Sequence, residues 1–429
     1  MKISLKRVNR VKLTFTSIFI FSLSVTPLAA YSLVASISLD RLLLCFALLL
    51  FPLHILNTKK NICAITICFS LLLVSLIASL LFGVSSGSEL APMFFLCYVY
   101  FFVCFAFSKN NVFILHQISF VLKCWLLILL MFGAYVFYQQ YILGNLYYTD
   151  PLGMEYSDPQ HRRLMMGNKR FFLPYASAPF LGFVAGFIFL WFFCVNSLRG
   201  SNKFFICFLA FLVLLLSMSR GPLYALIGSA LFVYLARFLV ANIKATYTIM
   251  AKIIFCLFMG VCFLLYILLV EPVGLEYAVT DSRLMPTFES IVESRHMVLR
   301  LDAIGMFLEA SLVNKLFGSG LGFYSLNGEA PYSFMSYLTI LVEMGIFGLV
   351  AFILPLLLSM ALSLGMLFSP CRNARMKGVL IFSLILYVAT CHMFYEYKTF
   401  VPIWIVTGLI LGLVTTPADT IFYRFHRSA

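Results

Sequence analysis

Charge is what this chain has least of. Only 11% of its 429 residues are Asp, Glu, Lys or Arg, and just 16 residues are acidic. A soluble globular domain carries about 25% charged residues. With 63% hydrophobic residues and a mean hydropathy of +1.03, that scarcity excludes an ordinary soluble domain and marks an integral membrane protein. Also missing are the short alternating segments, about ten residues long, that build a transmembrane barrel. The apolar runs are instead about 20 residues long, enough for a helix to cross the hydrocarbon core, so the spans are helices. No internal repeat is evident, and no appended soluble domain is expected. The twelve Cys form no metal-type pair on a polar loop. Those at 45, 63, 68, 97, 104, 256 and 262 lie within or beside apolar runs, as small buried hydrophobes do.

What is present is aromatic and basic. The 47 Phe and 22 Tyr suit lipid-facing helices and interfacial belts. A formal charge of +14 would fit a nucleic-acid binder, but its distribution argues otherwise. Twelve spans are expected, at about 14–37, 42–57, 62–83, 91–108, 112–142, 171–196, 203–218, 222–241, 250–270, 333–367, 377–392 and 400–416. Met1 to Lys12 carries five basic residues and is expected to precede an uncleaved first helix. If the N-terminus is cytoplasmic, Lys59, Lys60, Lys109, Arg199, Lys203, Arg237, Lys244, Lys252, Arg372, Arg375, Lys377, Arg424 and Arg427 all fall inside. Most acids, from Asp40 and Glu89 to Glu329, then fall outside, with Asp419 the clear exception. This is the positive-inside pattern, with both termini cytoplasmic and no nucleic acid as partner. The chain divides into residues 1–270 with nine spans and an outer loop at 144–170, a large outer loop at 271–332, and residues 333–429 with three spans and a tail.

Two stretches of that outer face could carry chemistry. The turn Ser217–Pro222 closes one span and opens the next, so the new helix points its unpaired N–H groups outward, an arrangement that binds phosphate. Arg220 adds a forked cation, Gly221 permits close backbone approach, and Pro222 fits a first helical turn. Ser219 stands beside them. The competing reading of Arg220 is a side chain snorkelling to lipid headgroups. In the large loop, Pro286 to Leu312 reads as a helix outside the bilayer, with Phe288, Ile291, Val292, Leu299, Ala303, Met306 and Phe307 as its apolar face. His296 and Arg300 share another face, four residues apart, and Arg295 adds a further cation. The two stretches are expected to face each other across one site. In the smaller loop Arg162, Arg163, Lys169 and Arg170 break the charge trend, either to bind an anionic group or as a solvated, headgroup-binding stretch. Lys123 and Glu343 lie inside spans and should face a polar interior. His392, Glu396 and Lys398 make a third small outer cluster. The glycine-spaced run Leu316–Phe323 has no strand before it, so it is a tight re-entry turn rather than a dinucleotide fingerprint.

Four stretches, in this order, resemble the family of bacterial O-antigen ligases and O-antigen polymerases: Leu216–Ala225 (LSMSRGPLYA), Arg300–Phe307 (RLDAIGMF), Leu316–Phe323 (LFGSGLGF) and Tyr337–Gly348 (YLTILVEMGIFG). The motifs, with the loop around them, cover about a third of the chain; the first half matches only in its pattern of spans. The resemblance implies an all-α, GT-C-like membrane fold of about twelve helices. It further implies undecaprenyl-pyrophosphate-linked oligosaccharides as donor and acceptor, the bilayer as partner, a chain-length regulator as a further partner, and transfer at the periplasmic face of the inner membrane. No metal and no cofactor are implied. Family arginines matching Arg220 and Arg300 are thought to hold the donor pyrophosphate. Family ligases carry His-Asn where this chain has Phe334-Met335, and that His is the proposed base. Phenylalanine cannot accept a proton, so His296, Glu329 and Glu343 become the candidate bases. The departure favours the polymerase branch over ligation to lipid A-core. A flippase for the same lipid-linked unit is the reading from another class, and it would show charge spread over many spans rather than gathered in two loops.

Overall fold

The computed structural model describes residues 32–34, 37–38, 62–83, 111–143, 177–195, 200–217, 219–241, 295–323, 335–395, 397 and 400–415. In chain order the elements are β1 (Ser32–Val34), β2 (Ile37–Ser38), α1 (Ile62–Phe82), α2 (Asn111–Phe137, ending in a π turn Tyr138–Ile142), α3 (Ala178–Cys194) and α4 (Gly200–Leu216). Then follow α5 (Arg220–Ala241), α6 (Arg295–Glu309), α7 (Leu312–Phe317), α8 (Ser336–Leu367), α9 (Arg372–Phe394) and α10 (Val401–Val414).

Among the described residues, three helical segments are long and apolar enough to cross a membrane: Gln117–Phe137, Ser336–Leu367 and Arg372–Phe394. The chain is a helical membrane protein. Helices also occupy the expected spans at 62–83, 171–196, 203–218, 222–241 and 400–416, in shorter apolar stretches. The spans expected at 42–57, 91–108 and 250–270 lie outside the described residues. One expectation is corrected at the first span. Its last residues are not helical, because Ser32–Val34 pairs antiparallel with Ile37–Ser38. β-Branched Val34 and Ile37 between serines suit extended backbone better than a helix end.

The chain divides into two compact units, Met1–Ile67, Tyr98–Ser219 and Phe400–Ala429 in one, Cys68–Cys97 and Arg220–Thr399 in the other. In the first, α3 is apolar all round and mostly buried, with Pro179, Phe180, Phe189 and Phe193 only partly so. It packs on α2 and α4. Trp191 Nε1 donates to Ser119 Oγ at 3.2 Å, and Phe180 stacks on Phe400 at 4.2 Å. Lys123 is an exception to expectation: it lies on the exposed side of α2, beside Phe120 and Leu127, rather than facing an interior. Its long aliphatic stem lets the amine leave an apolar surface.

In the second unit α9 packs between α5 and α8. Small residues let the backbones approach. A Cβ on Gly378 would stand 2.8 Å from the Ser363 carbonyl oxygen. Ser363 and Ser383 turn their hydroxyls back onto Met360 and Leu380 carbonyls, each at 2.8 Å. The helix α9 begins at Arg372, five residues before the expected span, so Lys377 is a buried helical residue and not part of the link before the helix. Arg and Lys are good helix formers, and their charge says little about where a helix starts.

Two further departures shape this unit. The loop helix expected to reach Leu312 stops at Glu309, and a second helix starts after Ser311, whose side chain accepts from Asn314 N–H at 3.3 Å. That is an N-cap, and it lets the chain turn between α6 and α7. Residues 286–294 lie outside the described set. The other departure is in α8, which is broken at Gly345 (φ 69°, ψ −171°). An extended left-handed residue of this kind is essentially restricted to glycine.

Candidate functional site

The break in α8 frees carbonyls that an unbroken helix would bond internally. They are taken up by the glycine-spaced run: Ser319 N–H donates to Val342 O at 2.9 Å and Gly320 N–H to Glu343 O at 3.0 Å. The Glu343 carbonyl also accepts from Ser79 Oγ at 2.7 Å. Three of the run's glycines have positive φ, at 91° (Gly318), 109° (Gly320) and 77° (Gly322), so the run docks backbone to backbone. No side chain fits between: a Cβ on Gly83 would collide with Gly320, and one on Gly318 with the Glu343 carbonyl. The expected re-entry turn is thus the clamp that fixes α7 to the middle of α8.

About 13 Å along α8 from that break, by nine residues at the helical rise, its first turn meets the last turn of α9. Here α6 and α5 also arrive. On α6, Leu299 and Ala303 are buried, and Ala303, Met306 and Phe307 pack against Val342 and Leu338 of α8. This is the C-terminal part of the apolar face expected for the loop helix. The packing turns Arg300 toward α9, where its Nη2 donates to Met393 O at 3.4 Å. That carbonyl belongs to the final helical turn, whose C=O groups have no partner within the helix, and a cation complements them. Burial pulls the Arg300 pKa below its ordinary value, yet a guanidinium stays charged. From α5, Gly221 meets the next residue: a Cβ there would lie 2.6 Å from Phe394 Cβ. Tyr224 also makes an edge contact with Phe394, centroids 6.3 Å apart. The start of α5 and the Arg300 helix therefore reach adjacent residues, Phe394 and Met393.

The same end of α8 holds a buried polar knot. Ser336 Oγ donates to Tyr395 O at 3.1 Å, accepts from Tyr397 N–H at 2.9 Å, and lies 2.9 Å from His392 Nδ1. A hydroxyl has one proton, so all three contacts are satisfied when His392 donates from Nδ1. The network thereby assigns the Nδ1–H tautomer and leaves Nε2 as acceptor. Around the ring stand Phe352, Tyr337 and Tyr397, with centroids at 5.1, 5.6 and 5.8 Å. Burial, with smaller effects from Cys391 and Tyr395, raises the Tyr397 phenol well above its usual range, so it is un-ionised at neutral pH.

Of the residues singled out in the sequence, Arg220, Gly221 and Arg300 come to this end of the unit. Arg220 is half-buried at the first position of α5, Gly221 is buried, and Pro222 is third, where its missing N–H costs no helical bond. Ser219 is buried immediately before the helix. Positions 295 and 296 open α6, so His296 stands one turn before Arg300 along the backbone. Glu343 is buried at the α8 break, about 10 Å along the helix from Ser336 by the same rise. Arg162, Arg163, Lys169, Arg170 and Glu329 lie outside the described residues. His392, expected in a small outer cluster, is buried in the last turn of α9, and Ser336 carries no sequence signal of its own. One histidine in the last turn of an apolar helix is the only signal that could have found the pair. No protein-family model matches the chain, and no curated protein matches it.

Proposed function

We propose that this chain is an O-antigen-type glycan polymerase of the bacterial inner membrane, with both termini cytoplasmic and the 144–170 and 271–332 loops periplasmic. It moves a growing glycan from undecaprenyl pyrophosphate onto the sugar of an incoming lipid-linked repeat unit. The observation that carries the reading is the meeting of Arg300 and the Arg220–Gly221 helix start at the last turn of α9. Those residues belong to separate motifs of the resemblance, 80 positions apart in sequence by their numbers.

In this reaction an acceptor hydroxyl attacks the donor's anomeric carbon, the bond to the pyrophosphate oxygen breaks, and the hydroxyl proton passes to a base. Charge grows on the pyrophosphate as the bond opens. Fixed cations and helix N–H groups aimed at it stabilise the transition state more than the ground state. Arg220, Arg300, Ser219 and Gly221 are assigned that role. Arg162, Arg163, Lys169, Arg170 and Arg295 are assigned to the anionic lipid-linked substrates. The base is assigned to His296, one turn from Arg300, with Glu329 and Glu343 as its rivals. An imidazole titrates near the working pH, and a neighbouring cation favours its neutral, proton-accepting form.

The lipopolysaccharide ladder of a deletion strain tests the reading. Loss of every band above core plus one repeat unit is expected. Loss of the one-unit band as well would point instead to ligation or flipping, and an intact ladder would remove the chain from this step.

A further inference from the structure

The helix α6 has two apolar faces, and only one of them is covered. Ala303, Met306 and Phe307 turn to α8, and Leu299 on the same side is buried. On the opposite side Val298, Leu301, Ile304 and Leu308, spaced by three, three and four residues, are all exposed, Leu308 by 62%. The stripe runs on into α7 through Leu312, 74% exposed, to Leu316. No charged residue interrupts it: Arg300 is turned to α9, while Asp302 and Glu309 lie along its margin.

What covers this stripe is read from where it ends. A Cβ on Gly345 would stand 2.5 Å from the Leu316 carbonyl, and Phe317 meets Phe347 edge-on at 6.4 Å. Leu316 is therefore a neighbour of the α8 break, after which α8 exposes Ile346 and Val350. Since α8 is long and apolar enough to cross a membrane, its exposed apolar side chains form a surface suited to acyl chains. The α6–α7 stripe therefore ends beside that surface. An apolar face carried along two successive helices, with charge confined to its edges, fits helices lying in the bilayer interface.

We propose that α6 and α7 are not held in the aqueous space above the membrane but lie in its interface, with the Val298–Leu316 stripe immersed in bilayer lipid. The clamp between Gly318–Gly320 and the α8 break sets the depth, and Lys315 in the last turn of α7 reaches the headgroups. The proposal depends on the membrane-crossing helices and not on the glycan reading.

The test uses the full chain in phosphatidylethanolamine–phosphatidylglycerol vesicles. A genetically encoded dansyl amino acid is placed at position 308, and separately at 301 in case the first variant misfolds. Position 350 on α8 serves as the lipid control and position 309 as the water control. Lipids brominated in their acyl chains should quench emission at 308 and 301 as strongly as at 350, and aqueous acrylamide should quench them far less than at 309. Quenching by acrylamide rather than bromolipid would overturn the proposal by placing the stripe in water. Quenching by neither would also overturn it, by showing that a second copy or another protein covers the face.

Discussion

Replacing Gly345 with alanine should detach the glycine-spaced run from α8. The residue sits at φ 69° and ψ −171°, a region that costs a side-chain-bearing residue about 1–3 kcal/mol. The new Cβ would also stand 2.5 Å from the Leu316 carbonyl and 2.6 Å from Gly318 N, both backbone atoms that cannot step aside singly. Relieving that clash separates the donors of Ser319 and Gly320 from the carbonyls of Val342 and Glu343, each bond worth about 0.5–1.5 kcal/mol net. The total is about 2–6 kcal/mol, a large share of the roughly 5–15 kcal/mol that holds a protein folded. Gly365 is the internal control. It lies in the same helix with nothing within 4 Å of its absent Cβ, so Gly365→Ala should gain about 0.5–1 kcal/mol of helix stability. The assay is the unfolding midpoint in mixed micelles titrated with a denaturing detergent. Equal midpoints for Gly345→Ala and Gly365→Ala would refute the clamp.

Other consequences can be measured alongside. Ser336→Ala leaves the buried Tyr397 N–H and the His392 Nδ1–H without their acceptor. It should lower the unfolding free energy by about 1–3 kcal/mol per stranded donor, and an unchanged midpoint would contradict the assigned network. Single cysteines at Ser290 and Asn168, in a background cleared of accessible native Cys, should react with an impermeant reagent in intact spheroplasts; protection of both would overturn the topology. Polymerisation by His296→Ala, His296→Gln, Glu329→Gln and Glu343→Gln at matched expression should fall most for the two His296 variants. Full ladders from both of these, with loss from either Glu variant, would reassign the base.

The helical membrane character was legible because apolar runs of spanning length carry little charge, and the positions of α1–α5 and α8–α10 follow those runs. What escaped was set by partners distant in sequence. Tyr337–Gly348 reads as one apolar helix, and nothing local marks Gly345 as a break. Its backbone is decided by Leu316 and Gly318 docking onto it, and Gly320 in turn is fitted to Gly83. The face of α6 that packs on α8 was readable from Leu299, Ala303, Met306 and Phe307. Its second face was not, since Val298, Leu301 and Leu308 merely make the segment more hydrophobic until packing separates the two. Arg300 could be picked from a motif, but its carbonyl partner on Met393 lies 93 residues away. Lys377 is enclosed for a simpler reason: α9 starts five residues ahead of the apolar run, and no local signal marks that start.

Purified protein in proteoliposomes tests most directly whether Arg220 and Arg300 act on one lipid-linked pyrophosphate, as proposed. The vesicles are supplied with a lipid-linked repeat unit, and product length is followed over time. Wild type should build polymer, while Arg220→Ala and Arg300→Ala should each lose on the order of 10²–10³ in rate, the usual cost of removing one preorganised donor. Lysine at either position should restore little, because it lacks the planar fork. Polymer formation at near wild-type rate by both well-folded alanine variants would contradict the account.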